Sequence, residues 1–195
     1  MKPPLHHNRF LAVLLVLLLG ACEACSGFAS CPARGRFQLH IFEDTWYDLE
    51  LGQKREPAWT RLKRMNLGSS ALVYTEDDIE VYDWEEQVIT FTVTASDRVN
   101  EVFTGSEYAS ANLDERVFIA TFDGDFLYGG IFLGEGSEMP VEYPVIYVWT
   151  YDGAVTFTVR PSTPGVYAQL APSYKSVIEN QDLHDFLKSQ GKLTE

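Results

Sequence analysis

Hydrophobic and polar positions alternate in several short stretches of the chain. Phe37, Leu39 and Ile41 stand two apart, and Trp46 and Leu49 continue an aromatic-rich run to Leu51. Period-two alternation sends successive side chains to opposite faces, so a strand or hairpin is expected over Phe37 to Leu51. Gln87 to Thr94 alternates Ile89, Phe91 and Val93 with threonines, and only Val88 departs from the pattern. Its β-branched content makes it the clearest predicted strand. Val117 to Phe122 and Phe126 to Phe132 flank Asp123-Gly124. Asp-Gly supplies the positive φ of a two-residue hairpin loop, so these runs are expected to pair. Gly129-Gly130 points to a bulge or a close backbone approach. Pro144 to Thr150 and Ala154 to Arg160 flank a second Asp-Gly at Asp152-Gly153, before a proline-broken excursion over Pro161 to Pro172.

Helix signals fall between these runs. Thr75 precedes Glu76, Asp77 and Asp78. A threonine cap followed by carboxylates at the positive end of a helix dipole predicts a short helix through about Tyr82. Ser96 is the expected cap of a helix from Asp97 to Phe103. Asn180 is expected to cap Gln181 to Gln190, with Leu183, Phe186 and Leu187 on one face, Lys188 near the negative end and Gly191 as the stop. Interspersed strands and short helices joined by Asp-Gly turns predict an α+β domain over 36–195. Its sheet is expected to be mainly antiparallel, with a C-terminal helix.

The N-terminus follows a different pattern. Met1 to Arg9 carries Lys2 and Arg9 and no acid, and Phe10 to Leu19 is apolar without a break. A membrane-spanning helix needs about 20 apolar residues, so this run suits the core of a signal peptide instead. It ends in Leu19-Gly20-Ala21-Cys22. That tetrapeptide resembles the lipobox of bacterial lipoproteins. The resemblance implies cleavage before Cys22, diacylglyceryl transfer to its thiol and acylation of the new amine. Several acyl chains anchor stably where one binds only marginally. Residues 1–21 are then a signal peptide, and 22–35, small and without periodicity, a lipidated tether. Glu23 rather than Asp after Cys22 implies outer-membrane sorting if the cell is Gram-negative. Cys25 and Cys31 either form a disulfide across a short loop, in a compartment where disulfides persist, or remain free thiols.

Charge narrows the partners. The signal segment takes two of the 15 basic residues and none of the 28 acidic ones, leaving 13 against 28 and a formal charge of −15. Nucleic acid is argued against, because phosphate binding needs Lys and Arg. So is direct adhesion to anionic lipid. An acidic surface favours solubility and, as a second reading, a basic envelope protein as partner. One stretch inverts the sign: Lys54, Arg55, Arg61, Lys63 and Arg64 surround Trp59. It could meet a phosphate or an acidic partner, but internal pairing with the excess carboxylates is the simpler reading.

Catalytic patterns are weak. Seven acids lie within 76–86, but no Gly interrupts them as a calcium loop requires. No metal or cofactor site is expected. His40 lies on the strand face opposite Leu39 and Ile41, and His184 is expected on the polar side of the last helix. Neither joins a Gly-x-Ser-x-Gly elbow or another nucleophile-base-acid arrangement. Asp123 and Asp125 are explained by turn chemistry. The expectation is a binding or accessory module rather than an enzyme. Trp46, Trp59, Trp84, Tyr82 and Tyr128 are its candidate binding residues, with Trp149 as a further exposed candidate. Each could instead fill a core.

Two stretches carry a wider resemblance. Thr75-Glu76-Asp77-Asp78-Ile79, Tyr82-Asp83-Trp84 and Ile89-Thr90-Phe91-Thr92 are followed by Phe122-Asp123-Gly124, Tyr128-Gly129-Gly130-Ile131-Phe132, Pro144-Val145-Ile146 and Gly191-Lys192-Leu193. This order resembles a family of small exported bacterial proteins of unknown function. It is also similar, in order of elements only, to the periplasmic head of the SecD translocase subunit. Thr45-Trp46-Tyr47 resembles the opening strand of lipocalins, with Asp44 where a Gly is expected, which would imply a small-ligand carrier. A lipid-tethered inhibitor or immunity protein for a basic target is a further reading of the charge.

Overall fold

The computed structural model describes residues 36–52, 56–106, 108–134, 136–137, 139–151, 154–163 and 178–194. Cys22, Cys25, Cys31, Lys54, Arg55, the Asp152-Gly153 turn and most of the Pro161 to Pro172 excursion lie outside them. The strands are β1 (Phe37–Thr45), β2 (Leu72–Thr75), β3 (Ile79–Asp83), β4 (Val88–Phe91), β5 (Arg116–Phe122), β6 (Asp125–Leu133), β7 (Val145–Tyr151), β8 (Ala154–Arg160) and β9 (Leu193–Thr194). The helices are α1 (Ala58–Leu62), α2 (Val93–Val102), α3 (Ala109–Leu113) and α4 (Gln181–Ser189).

All nine strands join one sheet in the order β2-β1-β5-β6-β7-β8-β4-β3-β9. Six pairings are antiparallel, while β6–β7 and β3–β9 are parallel. The α+β expectation holds, and the sheet is mainly but not purely antiparallel, because two parallel pairings make it mixed. Parallel neighbours need a crossover connection rather than a hairpin. Between β6 and β7 residues 134–144 supply it, and Val141 on that path is buried beside Val145.

The sheet curls. Strand β2 is one edge and β3 is next to the other, yet only the 3-10 turn Glu76–Asp78 joins them. Tyr74 of β2 stacks on Phe91 of β4 at 4.4 Å and meets Phe157 of β8 edge-on at 6.1 Å. Helix α2 packs on β2 and β8, and the Tyr74 hydroxyl donates to the Ala95 carbonyl at 2.9 Å. Tyr74, Tyr82, Phe91, Phe118, Phe132 and Phe157 are fully buried inside the curl. Burying each contributes about 2–3 kcal/mol, so the concave side is the principal core. A second core lies on the convex side, where Phe42, Leu62, Ile119 and Ile131 are buried. The alternation along each strand divides the two: Phe118 and Phe132 face inward, Ile119 and Ile131 outward.

Local chemistry explains where the elements begin and end. The predicted helix at Thr75 is a single turn. Thr75 and Asp78 form the capping box, with the Thr75 N–H donating to Asp78 Oδ2 at 2.8 Å. The Lys192 ammonium then donates to the carbonyls of Glu76 and Ile79, at 2.5 and 2.6 Å. Lys192 thereby caps the end of the turn, and Ile79 and Tyr82 turn inward as strand residues. The strand at Gln87 to Thr94 stops at Phe91, because Thr92 rather than Ser96 caps α2 and accepts from the Ala95 N–H at 3.2 Å. Ser96 lies inside α2, where its hydroxyl accepts from the Val155 N–H at 2.8 Å. The strand beginning at Phe37 continues into a turn rather than a hairpin. Thr45 and Asp48 close that turn through two 2.8 Å hydrogen bonds.

The β5–β6 hairpin forms as predicted, with φ of 52° at Asp123 and 85° at Gly124. Its register shifts at Leu127, between Ala120↔Tyr128 and Thr121↔Phe126. Gly130 instead marks a close approach: a Cβ there would lie inside the Pro144 carbonyl of the β6–β7 crossover. Helix α4 is capped by Asn180, whose Oδ1 accepts from the Leu183 N–H at 2.9 Å, and Gly191 follows it at φ 67°. Among the described residues no helix is long and apolar enough to cross a membrane.

Candidate functional site

The aromatic candidates do not form one face. Tyr82 and Tyr128 are 0% and 2% exposed, so they belong to the core rather than to a binding surface. The Tyr82 hydroxyl donates to Gln87 Oε1 at 2.6 Å and lies against that of Tyr128. Burial holds both phenols well above their ordinary pKa. Trp84 is half-buried between Tyr82, at 5.3 Å, and His184, at 5.0 Å. His184 is thus partly covered by Trp84 rather than turned to the polar side. Trp46 is half-buried on the convex core, edge-on to Tyr47 at 4.6 Å. Trp59 and Trp149 are exposed, 54% and 40%. Among the described residues no ring contact joins Trp46, Trp59, Trp84 and Trp149 to one another.

Residues of the motif pattern occupy structural positions. Thr75 and Asp78 make the capping box, Ile79 and Tyr82 are core, Gly130 admits the Pro144 carbonyl, and Lys192 closes the turn between β2 and β3. His40 is buried on the face opposite Leu39, with Nδ1 3.2 Å from Ser70 Oγ and Nε2 3.2 Å from Gln38 Oε1. Burial lowers its pKa below the ordinary 6.5.

Two members of the basic stretch, Arg61 and Arg64, are paired with carboxylates of the same region. Arg61 Nη1 donates to the carbonyls of Leu49, at 2.6 Å, and Glu50, at 3.2 Å. Its guanidinium also pairs with Glu50 and Glu56, and Arg64 pairs with Glu56 at 2.7 Å. Lys63 lies over the rings of Trp59 and Phe126, at 4.7 and 5.1 Å.

A second region has the opposite balance. The β5–β6 turn and one side of α4 enclose a cleft of about 420 Å³. Phe122, Leu127 and Phe186 form its apolar lining, and Asp123, Asp125, Asp182 and Asp185 its acidic one. Each element places its part for a local reason. The positive φ that Asp-Gly tolerates reverses the chain and leaves Asp123 and Asp125 at the hairpin tip. The register shift at Leu127 brings that side chain to the concave side beside Tyr128. Burial of Leu183 and Leu187 orients α4, and Asp182, Asp185 and Phe186 follow from helical spacing.

One cation sits in this cleft. Arg36 donates from Nε to Asp123 Oδ1 at 2.7 Å and from Nη2 to Oδ2 at 2.5 Å. Its guanidinium carbon lies 4.8 Å from the Phe122 ring centre and 4.7 Å from that of Phe186. The hydrogen bonds from Arg36 lower the Asp123 pKa, and hydrogen bonding with His184 and Gln181 lowers that of Asp185. Among the described residues no ion pair reaches Asp125 or Asp182. Nor does any group of three or more His, Cys, Asp or Glu among them stand ready to hold a metal ion. An acidic wall over aromatic rings is chemically suited to a guanidinium or ammonium group.

The cleft was not visible in the sequence as a site. Asp123 and Asp125 carried a turn signal, and Asp182, Asp185 and Phe186 a helix signal. The spacing of Asp182, Asp185 and Phe186 at i, i+3 and i+4 is the one local sign that they share a side of α4. No protein-family model, curated protein or solved structure matches the chain.

Proposed function

We propose that this chain is a lipid-tethered binding module of the bacterial cell envelope that holds a basic segment of a partner protein. Cys22 is the proposed lipid site, and residues 22–35 the tether that carries the domain on the periplasmic or outer side of its membrane. The observation that carries the binding assignment is the cleft between the β5–β6 turn and α4, where four aspartates surround an apolar lining and one arginine. A net charge of −15 after signal removal supports the choice of a basic partner, because it steers association. The interior of the curl is filled by Tyr74, Phe91, Phe132 and Phe157, which favours a surface site over a lipocalin-like carrier cavity.

Two experiments test the reading. Labelled palmitate should enter the wild-type protein and not Cys22→Ala; label retained by the variant would refute the anchor. Capture from solubilised envelope should yield one basic protein at low salt that is released at high salt, and that protein should fail to bind Asp182→Asn/Asp185→Asn. A partner bound equally by that variant would place the interface elsewhere. The same capture separates a holding role from an inhibitory one. An inhibitor suppresses the partner's own activity on binding, and an accessory module leaves it intact.

A further inference from the structure

We infer that the group recognised by this cleft is an arginine side chain, and that Arg36 is an internal occupant which a partner's arginine displaces. The inference rests on the cleft being the binding site proposed above. Its basis is how Arg36 is held, not the number of acids alone. Both terminal features of a guanidinium are used at once: the fork engages both oxygens of Asp123, and the flat carbon centre lies over two rings. An ammonium could take the charge and lie over the rings, as Lys63 does elsewhere, but could not make the fork. The arrangement is a template for guanidinium recognition.

The occupant is also replaceable. Arg36 and Asp123 have side chains 52% and 50% exposed, and exposed ion pairs are weak and readily exchanged. The backbone of Arg36 is secured independently. Its N–H donates to Glu76 Oε1 at 3.0 Å, and its carbonyl accepts from the Asp123 N–H at 2.8 Å. The guanidinium can therefore leave without releasing the chain from the sheet. With Asp125 and Asp182 outside any ion pair among the described residues, the cleft has charge to offer an incoming arginine. Arg36 lies at the junction with the proposed tether, so occupancy by a partner would free the side chain nearest the anchor.

The test uses detergent-solubilised full chain and two labelled probes, octa-arginine and octa-lysine, at low and high salt. Arg36→Gln should bind octa-arginine about fivefold more tightly than wild type and widen its preference over octa-lysine. Arg64→Gln removes the same charge from the other arginine site and controls for the general change in net charge. It should alter affinity for both peptides alike and by less. Near-UV circular dichroism checks that each variant keeps its packing, and Arg36→Lys supplies a second one that retains charge. That lysine variant should also bind octa-arginine more tightly than wild type. If Arg36→Gln matches Arg64→Gln, or if the two peptides bind alike throughout, the inference is overturned while salt-sensitive binding keeps the proposed function. If no form binds either peptide, both fail together.

Discussion

Two arginine sites at different places on the same sheet differ in what surrounds them. Arg61 and Arg64 share Glu50 and Glu56, and Arg61 also satisfies two backbone carbonyls. Its side chain is only 19% exposed. Charge there is balanced and the arginine acts as a strut. Arg36 faces four aspartates, is half exposed, and lies on rings rather than backbone. The excess negative charge of the chain is thus not uniform. Near α1 acids and bases cancel, whereas beside α4 four aspartates outnumber Arg36 and Lys188, and a net negative field over apolar surface is what a binding site for a cation requires.

The largest predicted effect removes both sites together. Strand β6 sends Phe126 to the convex side, under Lys63, and Leu127 to the cleft. Gly130→Ala would force its Cβ into the Pro144 carbonyl and displace backbone, costing about 4 kcal/mol or more. Urea denaturation should show a much lowered midpoint, and neither site should survive. Next in size is Arg61→Ala. It leaves the Leu49 carbonyl without its charged donor and should cost about 2 kcal/mol. Once folded, that variant should bind octa-arginine as Arg64→Gln does, with only the small change that the loss of one positive charge brings. Asp182→Asn/Asp185→Asn should reverse this pattern, with a near-normal melting temperature and weakened, less salt-sensitive peptide binding.

The smallest effect is a pH dependence belonging to neither arginine. His40 has a folded pKa below the ordinary 6.5, so the unfolded chain takes up the proton first. Stability should fall as pH drops below about 6.5 toward the folded value, and His40→Gln should flatten that slope. The carboxylates of Asp48, Asp123 and Asp185 are depressed below 3.8, so their contribution is lost only in more acidic solution and does not blur the histidine window.

Much of the fold was legible because its signals are local. The Asp123-Gly124 turn, the Asn180 cap with Gly191 beyond it, and the alternation at Phe37, Leu39 and Ile41 each follow from a few neighbouring residues. The misread elements needed distant ones. The single turn after Thr75 is capped by Lys192, 116 positions away from Glu76 in the chain. The parallel β6–β7 pair depends on a crossover that Gly130 admits. The candidate site was the least legible part. Arg36, Asp123 and Phe186 meet only after the sheet has curled and α4 has docked, and no spacing along the chain announces them. Exposed tryptophans were the stronger local signal for binding, yet Trp59 and Trp149 stand apart from the cleft lining.

Amide chemical-shift mapping of octa-arginine onto isotope-labelled full chain in detergent tests the central claim most directly. Shifts should concentrate on Phe122 to Leu127 and Asn180 to Ser189, grow as salt is lowered, and reach Arg36. Shifts centred on residues 56–65 around Trp59, with the α4 signals unmoved, would contradict it.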